Sequence, residues 1–200
     1  FIGRVPLKYI GGLVVVGLIF GSVALALGQR GETAASRIES FMSGELSYQS
    51  EQAHIAISNG GIVRFAPGQS VQRNFLPHPY SDFIYAIIIE EYGMLGGAIV
   101  LFLYLTLLYR GMVTVARSNK AFGGLLSAGL SFLLVIQAMI NMGVTVGLGP
   151  VTGLPLPMLS MGGTSLLFTG LALGIIISVS RGERVLTDEG GNTVKRNTVF

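Results

Sequence analysis

Four runs of apolar residues divide the chain: Tyr9–Leu27, Gly93–Tyr109, Phe122–Met142 and Gly163–Ser180. Each is near the roughly 20 residues that carry a helix across a bilayer. The pattern predicts an all-α polytopic membrane protein with about four transmembrane helices, forming a single membrane domain over residues 1–200. Between the first two runs lies a long polar stretch, Gly28–Ser81, with helix-like periodicity around Ala34–Met42 and Gln49–Ser58. Loops of this length are usually functional or disordered. Ile55, Ile57, Ile62, Phe65 and Phe75 make this one too apolar for plain disorder, so it is expected to fold back on the membrane surface.

The segment after the third run, Gly143–Ser165, is apolar yet rich in glycine and interrupted by Pro150, Pro155 and Pro157. Proline lacks an N–H donor and forbids a regular helix there. Irregular backbone at membrane depth survives only where protein buries it or a watery cavity adjoins it. The segment is therefore expected to dip back, re-entrant fashion, and line an outer cavity. Pairs of small residues one helical turn apart, at Gly17/Gly21, Gly93/Gly97 and Gly170/Gly174, are expected to pack within the bundle.

Composition sharpens this picture. Half of the 200 residues are hydrophobic and only 12% are charged, about half the level of soluble domains. There is no cysteine, and His54 and His78 are the only histidines, which removes disulfides, thiolate nucleophiles and histidine-built metal sites. The net charge of +3 is unevenly spread: four of the 13 Lys and Arg lie in the long polar stretch, where sidedness carries little weight, and nine gather on one side of the spans. These are Arg4 and Lys8, then Arg110, Arg117 and Lys120, then Arg181, Arg184, Lys195 and Arg196. By the positive-inside rule the N-terminus, the 110–120 loop and the tail at 182–200 are cytoplasmic, and loops 28–82 and 143–162 are outer. No basic-aromatic module points to nucleic acid. Arg4, Lys8 and Ala24-Leu-Ala26 imitate a secretory leader, but the first run is longer than a leader's roughly 7–15 apolar residues. Because the chain starts at Phe1, it is expected to be a piece of something longer.

Against this background three carboxylates stand out: Asp82, Glu90 and Glu91, in Leu76–Gly93. Ionisable groups at or near membrane depth are costly and functional by default. One helix through Phe83–Tyr109 would be about 40 Å long, more than the hydrocarbon core. A short outer helix over Phe83–Tyr92, a loosened join at Gly93 and a separate span are expected instead. Glu90 and Glu91 would then face a polar cavity or a basic partner such as Arg64 or Arg73. Ser81 or Asp82 occupies an N-cap position ahead of the apolar run, and His78, between two prolines, reads as a rigid-turn residue.

Several pieces, in order, resemble the SEDS family of shape, elongation, division and sporulation proteins. They are Gly68-Gln-Ser-Val-Gln-Arg-Asn-Phe-Leu-Pro77, Ser81-Asp-Phe-Ile-Tyr-Ala86, Glu90-Glu-Tyr-Gly93, Asn141-Met-Gly143, Gly149-Pro-Val-Thr-Gly-Leu-Pro-Leu-Pro157 and Ser160-Met-Gly-Gly-Thr-Ser-Leu166. The resemblance implies the last four of ten membrane spans. It implies a peptidoglycan glycosyltransferase that polymerises lipid II beside a class B penicillin-binding protein and other division or elongation membrane proteins. The family's essential aspartate falls on Asp82, as general base. The leaving pyrophosphate would be held by Arg73, Arg64 or a divalent cation (Mg or Mn). Ser70, Gln72, Glu90, Glu91, Ser160, Gly163 and Ser165 become substrate-side candidates. Ile62-Val-Arg-Phe-Ala-Pro67 departs from the family's glycine-rich stretch with a lysine, and Met161 stands where an aromatic is common. The wording Asn74–Tyr80 leans to the division-type, FtsW-like branch. A lipid II transporter and a non-enzymatic division scaffold are the competing functions.

Overall fold

The computed structural model describes residues 6–27, 30–44, 47–76, 80–117 and 121–184. Arg4, His78, Lys120, Lys195 and Arg196 lie outside them. Six α-helices follow in order: α1 (Leu7–Leu27), α2 (Arg30–Met42), α3 (Tyr48–Gly60), α4 (Ile84–Arg117), α5 (Ala121–Thr145) and α6 (Gly163–Arg184). Three are long and apolar enough to span a bilayer, over Ile84–Val115, Phe122–Thr145 and Gly163–Arg181. The apolar stretch of α1, Lys8–Ser22, is shorter. Apolar side chains such as Phe102, Leu103, Phe132, Leu167 and Phe168 are exposed on the outer surfaces of these helices, as lipid contact requires. The polytopic membrane reading holds. The helix-like pieces of the long loop are α2 and α3, each extended by a few residues.

The central element is α4, which packs against α3, α5 and α6. It is two helices joined at a kink, because Gly93 has φ 74 and ψ −178 in the middle of it. Only glycine reaches that φ without strain. Breaking a helix orphans N–H groups after the break and carbonyls before it. Here the chain at 61–66 satisfies them. Met94 N donates to Gly61 O at 3.0 Å, Leu95 N to Ile62 O at 3.2 Å, and Ala66 N to Glu91 O at 2.9 Å. A Cβ on Gly93 would stand 2.7 Å from Ile62 O, so glycine is needed for space as well as for φ. The expected outer helix, loosened join and span are all present.

The outer half of α4 is shared between two cores, since Tyr85 and Ile89 join that of the spans while Ala86 and Ile87 pack on α3. Ala53 and Ala56 of α3 are fully buried against Leu76, Phe83, Ala86 and Ile87. Beyond the break, Val100 and Tyr104 of α4 meet Val135, Ala138 and Met142 of α5. Gly111 brings α4 close to Ser127 and Ser131 of α5.

The small-residue pairs divide. Gly93 and Gly97 are engaged, Gly97 against Tyr85 and Ile89. The other two pairs have no packing partner among the described residues: beyond the helix's own nearby backbone, no atom lies within 4 Å of a Cβ placed on Gly17, Gly21, Gly170 or Gly174. Spacing marks residues able to approach a partner backbone, and within the described structure these faces have none.

The irregular segment after α5 is held by side chains from the spans. Asn141 Nδ2 donates to Leu154 O at 2.7 Å, Gln137 Nε2 to Pro155 O at 3.0 Å, and the Tyr104 hydroxyl to Pro157 O. Leu156 and Pro157 are buried. Buried carbonyls with no ladder to join still need donors, and these three polar side chains supply them.

Replacing Gly93 with alanine should destabilise the protein by about 1–3 kcal/mol, from forced positive φ and contact with Ile62 O. Gly17→Ala, with open space around it, should change stability by less than about 0.5 kcal/mol. Thermal unfolding of the detergent-solubilised variants checks the contrast.

Candidate active site

Asp82 sits just ahead of α4. The carbonyl of Phe83 is the first to accept a helical bond, from Ala86 N at 3.0 Å and Ile87 N at 3.3 Å. Phe83 therefore occupies the N-cap position and Asp82 lies one residue outside, which corrects the capping reading of Ser81 or Asp82. The Asp82 carboxylate accepts from its neighbour, Ser81 Oγ to Oδ1 at 2.7 Å. It is half-buried, dry enough to be positioned and open enough to reach a substrate.

What fixes it is backbone. Three consecutive carbonyls are gripped from the far side of the chain. Tyr80 O accepts from Met161 N at 2.7 Å, Ser81 O from Ser160 Oγ, and Asp82 O from Asn141 Nδ2 at 2.8 Å. Ser160 Oγ also accepts from Leu156 N at 2.7 Å, so one hydroxyl ties the irregular segment to Ser81. Asn141 is 3% exposed and Ser160 2%. The motifs at 141–143, 149–157 and 160–166 thus meet at the peptide that carries Asp82.

The irregular segment also approaches the carboxylate itself. Gly153, with φ 69, is so placed that a Cβ on it would lie 3.7 Å from Asp82 Oδ2 and 4.0 Å from Arg37 Nη1. Arg37, on α2, donates from Nη1 to Val151 O at 3.1 Å. The segment thus approaches Asp82, while the described cavity it lines, through Gly149, Pro150 and Val151, does not have Asp82 in its wall. Arg37 was not among the sequence candidates. It lies 45 positions before Asp82 in a loop where basic residues carry little information, and no local pattern joins the two.

The glutamates behave differently from each other. Glu90 is 2% exposed. Its carboxylate accepts from Ser70 Oγ, from Val71 N at 3.2 Å and from Gln72 N at 3.4 Å. Ser70 Oγ in turn accepts from Arg73 N at 3.2 Å. Glu90 is thereby a clasp on the single 3-10 turn at Gln72–Asn74, with neither a cavity nor an arginine as its partner. This corrects the expected basic partner: N–H groups at the start of a turn satisfy a buried carboxylate as a cation would. Arg64 is committed elsewhere, its Nη1 donating to Asn59 O at the end of α3 at 2.9 Å. Ser70 and Gln72 belong to the clasp, and the described bond of Arg73 is its backbone N–H. Glu91 is half-buried and takes part through its carbonyl, to Ala66 N.

Gly163 and Ser165 form the first turn of α6, where the described bond is from Thr169 Oγ1 to Ser165 O at 2.6 Å. Of the substrate-side candidates, Ser160 alone is bonded to the Asp82 peptide segment. No group of three His, Asp or Glu side chains that could hold a metal ion occurs among the described residues.

A family model described as a cell cycle protein, built on FtsW, RodA and SpoVE, matches residues 1–185. The chain belongs to this family. Stage V sporulation protein E of Bacillus subtilis strain 168 is 42% identical over 138 residues, 68% of this chain and 38% of that protein. A probable peptidoglycan glycosyltransferase FtsW of Marinobacter nauticus is 42% identical over 161 residues, 76% of this chain and 40% of that one. Peptidoglycan glycosyltransferase MrdB of Escherichia coli K12 is 36% identical over 142 residues, 70% and 38% of the two chains. The chain thus spans about two fifths of the length of these curated relatives. A solved structure described as the structural coordination of polymerization and crosslinking by a peptidoglycan synthase complex superposes with a TM-score of 0.58. It is 25% identical and covers 86% of this chain and 48% of its own. Within the family, the FtsW lean of Asn74–Tyr80 agrees with the higher identity to the FtsW relative than to MrdB.

Glu90→Leu should cost about 3 kcal/mol or more, since it strips acceptors from a buried hydroxyl and two N–H groups. Glu90→Gln should cost about 1–2 kcal/mol, keeping one acceptor but no charge. Thermal unfolding ranks the two, and limited proteolysis within residues 66–76 should report the released turn.

Proposed function

We propose that this chain is the Asp82-bearing portion of a peptidoglycan glycosyltransferase that polymerises lipid II. What carries the reading is the gripped peptide at Tyr80–Asp82, which holds one carboxylate in a set position beside a cationic side chain. The names of the relatives support the substrate class. In the reaction, Asp82 takes the proton from the acceptor sugar's hydroxyl as that oxygen attacks the donor's anomeric carbon. The anomeric C–O bond breaks, and its electron pair leaves on the lipid pyrophosphate. That leaving group departs as an anion, so one base with cationic stabilisation suffices. Glycoside hydrolysis, by contrast, usually needs a second carboxyl to protonate its leaving alcohol. Glu90, fully engaged in its clasp, is assigned no proton transfer.

On this reading the whole protein works beside a class B penicillin-binding protein that crosslinks the new strand, and the neighbouring complex couples polymerization with crosslinking by its own description. The N-terminal side of α1, the end of α4 with its connection to α5, and the tail beyond α6 are cytoplasmic. Loops 28–82 and 143–162, with Asp82, face outward.

In the full-length protein with its transpeptidase partner, Asp82→Asn should abolish glycan polymer made from lipid II while leaving the thermal midpoint and helical signal intact. Undiminished polymer would refute the base, and lost lipid II flipping with retained polymer would favour transport. Ser160→Ala, which loosens the Ser81 carbonyl without touching Asp82, should lower kcat about 10- to 100-fold with KM changed less than about threefold. Single-turnover and steady-state polymerisation assays separate the two parameters.

A further inference from the structure

A polymerase of this kind has to hold a pyrophosphate close to its base, and neither arginine singled out in the sequence is brought to Asp82 by a described contact. Arg64 donates to the end of α3, and Arg73 is tied to the Ser70–Glu90 clasp through its backbone. Arg37 is different. Its Nη1 and Asp82 Oδ2 both lie within 4.0 Å of the point where Gly153 would carry a Cβ. The guanidinium nitrogen and the carboxylate oxygen are therefore under about 8 Å apart, both close to the point that a side chain at position 153 would occupy.

That upper limit is compatible with the chemistry. From base to acceptor hydroxyl is about 2.7 Å, from hydroxyl to anomeric carbon in a near-attack geometry about 3 Å, and one C–O bond leads on to the leaving oxygen. The leaving oxygen thus lies roughly 7 Å from the base along the line of attack. A cation within about 8 Å of the base is within reach of the departing charge.

Beside Arg37 is a cavity of about 340 Å³, within the size range of small-molecule sites. Arg37 lines it with Ser36 and Ser40 of α2, Ser47 and Ser50 at the start of α3, and Val151 of the irregular segment. Its other described lining residues are Phe41, Gly44, Gln49, Gly149 and Pro150. Hydroxyl, amide and guanidinium donors suit an anion rich in oxygens. Arg37 spends one N–H on Val151 O, which fixes its head and leaves further donors of the guanidinium fork.

We propose that Arg37 and this serine-lined cavity bind the pyrophosphate of the donor lipid, with Arg37 receiving the negative charge released as the anomeric C–O bond breaks. The inference rests on the glycosyltransferase reading, and binding is its own test. The full-length protein with its transpeptidase partner, carrying Asp82→Asn to prevent turnover, is titrated with radiolabelled polyprenyl pyrophosphate and, separately, with polyprenyl monophosphate. The diphosphate should bind at least tenfold more tightly. Arg37→Ala should weaken the diphosphate at least tenfold and the monophosphate much less, with Arg37→Lys in between, because an ammonium keeps the charge and loses the fork.

Unchanged diphosphate affinity in Arg37→Ala, or equal weakening of both lipids, would overturn the proposal. Should Arg37→Ala fail to fold, Arg37→Lys and Ser40→Ala carry the same comparison. In the Asp82 wild-type background, Arg37→Ala should also weaken inhibition of polymerisation by added polyprenyl pyrophosphate at least tenfold. The two readings fail separately. Polymerisation by Asp82→Asn would remove the base and leave the lipid titration to judge Arg37. An inactive Asp82→Asn with Arg37-independent titrations would remove only the pyrophosphate site.

Discussion

The surroundings of Asp82 depend on satisfying carbonyls that have no regular structure to join. Prolines at 150, 155 and 157 deny residues 149–161 a helix, yet part of the segment is buried among apolar spans. Leaving such carbonyls without donors would cost about 1–3 kcal/mol each. Asn141, Gln137 and Tyr104 meet that need from within the spans, and the same segment reaches back through Ser160 and Met161 N to hold Tyr80 and Ser81. Asn141 serves both sides, since its amide donates to Leu154 O and to Asp82 O. One requirement, that buried backbone be paired, thereby joins two distant loops.

The break at Gly93 solves the companion problem of where the carboxylate segment lies. Had α4 run on without interruption, residues 84–92 would share the axis of the span. The positive φ at Gly93 frees the outer half to share a core with α3, and the chain at 61–66 closes the exposed helix ends. Glu90 then fastens the following turn at 70–74. Fold and site are here the same set of bonds.

Much of this was legible in the sequence because hydropathy and backbone chemistry act locally. The spans follow from apolar length, α2 and α3 from helical periodicity, and the join in α4 from a glycine beside two carboxylates too costly to bury unpaired. Where the reading failed, the deciding partner was distant. An aspartate ahead of an apolar run has a cap's signature whether or not its own carboxylate bonds the helix. A buried glutamate announces that it needs donors, but serine and bare N–H groups leave no charge in the sequence for the eye to pair. Arg37 was silent for the same reason, since only the folded irregular segment brings it to Asp82. Glycine spacing at 17/21 and 170/174 predicted contact that this stretch of chain does not make.

The grip on Tyr80–Asp82 takes hold of main-chain oxygens, which every amino acid carries. Its hold on the peptide is therefore indifferent to which side chain projects from position 82. Shape and reactivity are thereby decoupled at this position: a lineage can silence, restore or retune the reactive group by a single codon change while the architecture that aims it is inherited intact.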